Sequence, residues 1–285
     1  MFANYMIGLR EGLEAALIIA ILVAYLVKLG QREALPRLWA GVLLALGLSV
    51  VFGALLTFTG ASLSDEAQEN FAGVMSLVAV GLITWMIFWM AFHARHIKKH
   101  LQGEVDKALV KSSWAIAIVA FIAVAREGLE TALFLFAGAQ SSGESGATPL
   151  LGALLGIATA VVIGLLLYRG ALKLNLSSLF KWTGALLVVI AAGVLRYGVH
   201  ELQETGVLPG KDNYVLDLTG SVDPAGLLAS LVRAFFNVVP AMTALEIIAW
   251  GLYIAIVMPL FFWVIRRSKR PSANAAQAAP EKVSA

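Results

Sequence analysis

Seven apolar stretches of about 20 residues or more divide this 285-residue chain, at about 4–27, 38–58, 71–92, 114–139, 150–168, 179–199 and 242–265. At about 1.5 Å per residue each is long enough to cross a hydrocarbon layer of roughly 30 Å as an α-helix. Only 14% of the residues are charged and 60% are hydrophobic, whereas roughly a quarter of a soluble domain is charged. The expected fold class is therefore all-α, a polytopic membrane protein of seven transmembrane helices. The first stretch has no basic residue in 1–5, and Arg10, Glu11 and Glu14 interrupt it. A signal peptide needs a basic start and a plain apolar run, so a retained helix is expected.

Lys and Arg alternate between connections. Lys28, Arg32 and Arg37 lie at the first, Arg95, Lys98, Lys99, Lys107 and Lys111 in the third, Arg169, Lys173 and Lys181 at the fifth, and Arg266, Arg267, Lys269 and Arg270 at the start of the tail. The connections between hold few: Lys211 and Arg233, with Arg196 near the edge. The positive-inside rule then puts the N-terminus outside and the C-terminus in the cytosol. The net charge of +3 is explained by these loops, and no nucleic-acid partner is expected. Acids collect on the opposite side, a distribution that attracts cations to the outer face. The tail at 271–285 is disordered by composition, and an interfacial helix is expected at 224–236 in the long outer connection 200–240. The whole of 1–270 reads as a single transmembrane domain.

Charges inside two of the apolar stretches narrow the reading further. Arg10-Glu11-Gly12-Leu13-Glu14 in the first recurs letter for letter as Arg126-Glu127-Gly128-Leu129-Glu130 in the fourth, and Ala16-Leu17 recurs as Ala132-Leu133. Three helices separate the copies, so they run in opposite directions. This predicts an inverted repeat, 4–92 against 114–199, with 242–265 as an extra helix, a plan in which the binding site lies near the bilayer midplane between the repeats. Glu11 and Glu14 should lie roughly 10 to 15 Å below the outer end of their helix, and Glu127 and Glu130 roughly 14 to 18 Å below theirs. At about 100° per residue, the Arg and both Glu of each copy share one helical face, while Gly12 lies well round from it, where a small residue lets another helix come close.

Each copy read by itself is an Arg to Glu ion pair clasping two helices. Six charges inside a membrane cost on the order of 3 kcal/mol each on insertion scales, however, and one Arg neutralises only one of two Glu. A bound multivalent cation removes the surplus. The chain has no Cys, so oxygen and nitrogen are the strong donors available, and carboxylates favour hard cations such as ferric iron.

With this doubled motif in the first and fourth of seven helices, the chain resembles the oxidase-dependent, high-affinity iron permease family, most closely its bacterial branch. Thr84-Trp85-Met86, Phe88-Trp89-Met90, Leu174-Asn175-Leu176 and Phe180-Lys181-Trp182-Thr183 extend the likeness over nearly all of the folded chain. The resemblance implies an iron permease of the cytoplasmic membrane, not an enzyme, with iron as transported substrate and no cofactor. It implies that Glu11, Glu14, Glu127 and Glu130 carry the ion, with Arg10 and Arg126 required beside them. It also implies periplasmic partners that change the redox state of iron, a haem peroxidase and a cupredoxin-like protein. An outer acidic Glu-x-x-Glu motif belongs to the family, and Glu66 and Glu69 fit that spacing. Alternatives to iron import are a permease for another divalent ion, lead or manganese, and a membrane oxidoreductase holding a fixed metal on the four carboxylates.

Secondary candidates flank this centre. Asp65, Glu66 and Glu69 open the third helix, either as helix-dipole partners or as an outer site for iron. His200 and Glu204 stand i, i+4 with Glu201 between them, a spacing suited to a metal at the outer mouth or to a solvated helix end. Glu246 follows Thr243 at capping-box spacing or is a further pathway acid. His93, His96 and His100 fall on a cytosolic extension of the third helix, either receiving iron or lying along lipid phosphates. Met86 and Met90, one turn apart, read as packing rather than a copper(I) site. No Walker A loop, HExxH or Glu-x-x-His di-iron pattern occurs.

Overall fold

The computed structural model describes residues 1–93, 97–112, 114–142, 147–169, 176–217, 226, 232 and 238–268. In chain order the elements are α1 (Phe2–Lys28), a 3-10 turn (Arg32–Ala34), α2 (Leu35–Ala61), α3 (Asp65–His93), α4 (Ile97–Lys111), α5 (Ala115–Ser142) and α6 (Thr148–Tyr168). Then come α7 (Leu176–Glu204), β1 (Tyr214–Asp217), β2 (Ala241–Thr243) and α8 (Ala244–Ser268). All seven apolar stretches are helical over nearly their whole length, the last of them from Ala244 on. Five of the helices, α2, α3, α6, α7 and α8, are long and apolar enough to cross a membrane. Helices α1 and α5 have the length, but each carries an Arg and two Glu in its middle.

Two features add to the seven expected helices, one helical and one not. Helix α4 is amphipathic, with Leu101, Val105 and Ala108 buried against Leu22 and Leu26 of α1 and Ile116 and Ala120 of α5. Its Asp106 accepts a 2.8 Å hydrogen bond from Tyr25 of α1. The long connection after α7 contains an antiparallel two-stranded ribbon, Leu216 opposite Met242 and Asp217 opposite Ala241. Apart from 226 and 232, the helix expected at 224–236 lies outside the described residues, as does the tail.

Small residues set how closely the helices pack. Helix α6 buries Gly152, Gly156, Ala160 and Gly164 along one side, a four-residue repeat that stays on one face, and meets α1 there. A Cβ at Gly156 would fall on the backbone of Tyr5, Gly8 and Leu9, and one at Gly12 would stand 2.8 Å from the Ala160 methyl. Gly12 thus does what its place beside the motif suggested. Helix α2 repeats the device with Gly41, Ala45, Ser49 and Gly53 facing α5, where Gly128 leaves room for Ser49 and Gly53 lies near Ala132. Such seams supply van der Waals contact where lipid offers no hydrophobic drive. The other face of α2 exposes Leu43, Leu44, Val50, Val51, Leu55 and Phe58, which only an apolar surrounding tolerates in such a run. Helices α3 and α7 pair with each other, and α8 packs on both. Their joint core contains Ile83, Met86, Ile87, Leu187, Val188, Ala191, Val194 and Phe261.

Helix α1 ends where the backbone reverses. Gly30 has φ +74°, its N–H bonds to Val27 O, and that of Gln31 bonds to Leu26 O. This is a Schellman closure, in which glycine adopts the left-handed conformation at little cost. The short 3-10 turn then feeds α2, whose Pro36 lies in the first turn, where no N–H partner is needed.

Candidate metal-binding site

Both motif copies fall mid-helix, and the packing of α1 on α5 turns them towards each other. Arg10, Glu11, Glu14 and Glu127 are all at most 5% exposed. One carboxylate oxygen from each of Glu11, Glu14 and Glu127 lies within 4.8 Å of the other two. A cation at the centre of a triangle with such edges would be ~2.8 Å from each oxygen at most, so modest side-chain movement brings it to bonding distances of about 2.0–2.2 Å. Glu130, one turn further along α5, stands at the edge of this cluster with 18% of its side chain exposed.

Each guanidinium reaches both carboxylates of its own copy. Arg10 Nη2 is 3.0 Å from Glu14 Oε1 and Nη1 is 3.5 Å from Glu11 Oε1. Arg126 Nε is 2.9 Å from Glu130 Oε1 and 4.0 Å from Glu127 Oε1. The two contacts of Arg10 are close in distance but off the hydrogen-bond direction, and both oxygens of Glu11 and one of Glu14 lack a donor among the described residues. The identical motifs sit in different surroundings. Arg10 is sealed in and donates to the Met86 sulfur at 3.0 Å, whereas Arg126 is 38% exposed and its guanidinium stacks 4.4 Å from the Trp89 ring centroid. Met86 and Trp89 are one turn apart on α3. They are the neighbours that motif spacing does not reveal.

A cavity of about 950 Å³ runs from Arg10, Glu14, Arg126 and Glu127 along α1 to Lys28, with His100, Glu104 and Lys181 along its wall. From Arg10 to Lys28 is about 27 Å of helix axis. The cavity therefore joins the carboxylates to the end of the bundle where the basic loops lie. Glu11, one residue nearer the N-terminus of α1 than the motif's centre, does not line it.

The flanking candidates resolve differently. Asp65 and Glu66 form the exposed first turn of α3, and Glu69, half-buried one turn on, comes within electrostatic reach of Glu201. His200 and Glu204 do not converge on one point. His200 Nδ1 is 2.8 Å from Glu246 Oε1, and Glu204 pairs with Lys211, whose ammonium is held protonated above its usual range by that hydrogen bond. Glu246 makes half of the capping box: its N–H meets Thr243 Oγ1 at 3.3 Å. Its carboxylate turns instead to Arg196, 3.3 Å away on α7, and is 1% exposed. The histidines do not share one helix, because α3 ends at His93 and His100 belongs to α4. His96 and the His93 side chain lie outside the described residues. Met86 and Met90 are buried in the core.

Apolar helices packed through glycine and alanine seams around buried carboxylates define a multi-pass membrane protein with an acidic centre. Within that class, the chain belongs to the iron permease FTR1 family, whose model matches residues 1–272. It is 37% identical over 267 residues, 91% of its length, to the ferrous iron permease EfeU of Escherichia coli O6:H1, 96% of which is covered. It is 34% identical over 286 residues to that of Yersinia pestis, with 99% of both chains covered. No solved structure matches.

Proposed function

We propose that this protein imports iron across the cytoplasmic membrane, and that the ion passes between α1 and α5 on Glu11, Glu14, Glu127 and Glu130. The carrying observation is the convergence of three buried carboxylates from the two motif copies within 4.8 Å, in a chain of the iron permease family. Three acids buried together repel one another and are poorly solvated, and a multivalent cation relieves both costs. Arg10 and Arg126 span the acids of their own copies and yield carboxylates to the arriving ion. Named relatives are ferrous iron permeases, and family membership supports the same substrate here.

The architecture we propose is seven crossings built as an inverted 3+3 repeat with α8 added. Exchanging the repeats turns α1 into α5 and α2 into α6, so the α1–α6 seam maps onto the α2–α5 seam. Both seams are strips of small residues at four-residue spacing, as the exchange requires. The basic loops support an external N-terminus and a cytosolic C-terminus, and in that orientation the large cavity faces the cytosol. Glu66, Glu69 and Glu201 then stand outside, where a periplasmic redox partner, a haem peroxidase with a cupredoxin-like protein, would deliver iron. The test is radioactive iron uptake into proteoliposomes. Wild type is expected to load them, and Glu14→Gln and Glu130→Gln, at equal protein density, to reduce uptake to the empty-liposome background. Wild-type uptake by both variants would exclude this pathway.

A further inference from the structure

Asn4 precedes Glu11 by seven residues, nearly two full turns, so it stands on the same face of α1 about 10 Å closer to the outer end. It is 2% exposed, and no donor among the described residues reaches its Oδ1. An orphaned amide oxygen is costly anywhere, and more so at membrane depth, where water does not substitute for the missing partner. An apolar side chain of equal size would fill the same space without that cost. Opposite it on α5 is Gly138, where a Cβ would fall on Asn4 Oδ1 and come within 3.2 Å of Ile7 Cδ1. Gly138 is eleven residues beyond Glu127, three turns up the same face. The amide therefore occupies a gap in the α1–α5 seam in line with the carboxylates. Between the two levels the core holds Ile7 and Phe134, 0% and 1% exposed.

We propose that Asn4 is a further ligand of the transported cation, meeting it outward of Ile7 and Phe134 before it reaches Glu11. This rests on the pathway reading above. The carboxamide oxygen is a hard, neutral donor suited to a hard cation. It is weaker than a carboxylate, so the ion moves on to Glu11, whose two oxygens also lack a donor. An acid at this level would hold the ion more tightly and slow its transfer, whereas an apolar residue would offer nothing to replace the hydration shell.

The experiment is iron uptake by proteoliposomes containing Asn4→Leu, Asn4→Asp and Gly138→Ala, alongside thermal melting of each purified protein. Asn4→Leu is expected to lower the initial rate at sub-saturating iron at least tenfold without lowering the melting midpoint. Asn4→Asp, which keeps an oxygen donor, is expected to stay within about threefold of wild type at low iron and to have a lower maximal rate. Gly138→Ala, which crowds the amide, is expected to reduce uptake in the wild-type background. If Asn4→Leu does not accumulate, Asn4→Asp and Gly138→Ala decide the matter. Wild-type uptake by Asn4→Leu, or by Gly138→Ala where the former does not accumulate, would overturn the proposal. If Glu14→Gln is still inactive in that case, the pathway reading stands and Asn4 alone drops out. If Glu14→Gln also transports normally, both fail.

Discussion

Replacing each motif arginine by lysine separates charge from geometry, and the structure gives the two positions different outcomes. Arg10 uses two nitrogens to reach Glu14 at 3.0 Å, Glu11 at 3.5 Å and the Met86 sulfur at 3.0 Å, in a pocket where Arg10 is 2% exposed. A single ammonium nitrogen cannot hold all three. Losing one of these buried ion-pair contacts while the charge itself is kept costs about 2 kcal/mol, less than the roughly 3–5 kcal/mol for removing one partner of a buried pair outright. Arg126 is 38% exposed, so water screens its pairs and the same change should cost at most about 1 kcal/mol, with part of the stacking on Trp89 retained by lysine. At roughly 2–4 °C per kcal/mol for a chain of this size, Arg10→Lys should lower the melting midpoint by about 4–8 °C and Arg126→Lys by no more than about 4 °C. If the misplaced carboxylate raises the transport barrier by the same ~2 kcal/mol, uptake by Arg10→Lys slows about 30-fold. Thermal unfolding in detergent and initial iron uptake at matched density read both quantities. Equal losses at the two positions, or the larger loss at Arg126, would refute the reasoning from burial.

Three further outcomes are expected. Gly156→Ala drives a methyl into the backbone of Tyr5, Gly8 and Leu9 and should destabilise by about 1–3 kcal/mol, while Gly47→Ala, with open space around it, should leave the melting midpoint unchanged or raised. Glu246→Gln removes the charge facing Arg196 and His200 and should cost on the order of 3 kcal/mol, as breaking a buried pair does, seen as a lower melting midpoint with unaltered ion selectivity. Glu66→Gln with Glu69→Gln should raise the iron concentration for half-maximal uptake at low ionic strength and leave the maximal rate nearly unchanged, because exposed acids steer cations by a field that salt screens. An unchanged concentration dependence at low salt would leave them as helix-dipole partners.

The helices and the acidic centre were legible in the sequence because their signals are local or repeated: long apolar runs, and one five-residue motif written twice. Gly12 was legible for the same reason, since a glycine beside charges on a crowded helix has few other uses. Helix α4 was obscured by its lysines and by His100, which mask the helical spacing of Leu101, Val105 and Ala108. The pairing of Glu246 with Arg196 and His200 escaped because a nearer explanation, the cap at Thr243, was available, while the partners lie some fifty residues away on a helix whose packing no local pattern announces. The unequal burial of Arg10 and Arg126 was beyond any motif. Identical letters acquire different environments from α3, which sets Met86 against one and Trp89 against the other, and from how far each side chain reaches into the cavity that both line. Asn4 carries no motif at all, and it stands out only once burial and missing partners are counted together.

The most direct test of the central claim is where iron sits when bound. Crystals or oriented samples of the wild-type protein loaded with iron, measured on both sides of the iron absorption edge, should give one principal anomalous peak within bonding distance of the carboxylates of Glu11, Glu14 and Glu127, and that peak should vanish in Glu14→Gln. A principal peak elsewhere, with those three carboxylates still bound only to Arg10 and Arg126, would contradict the account.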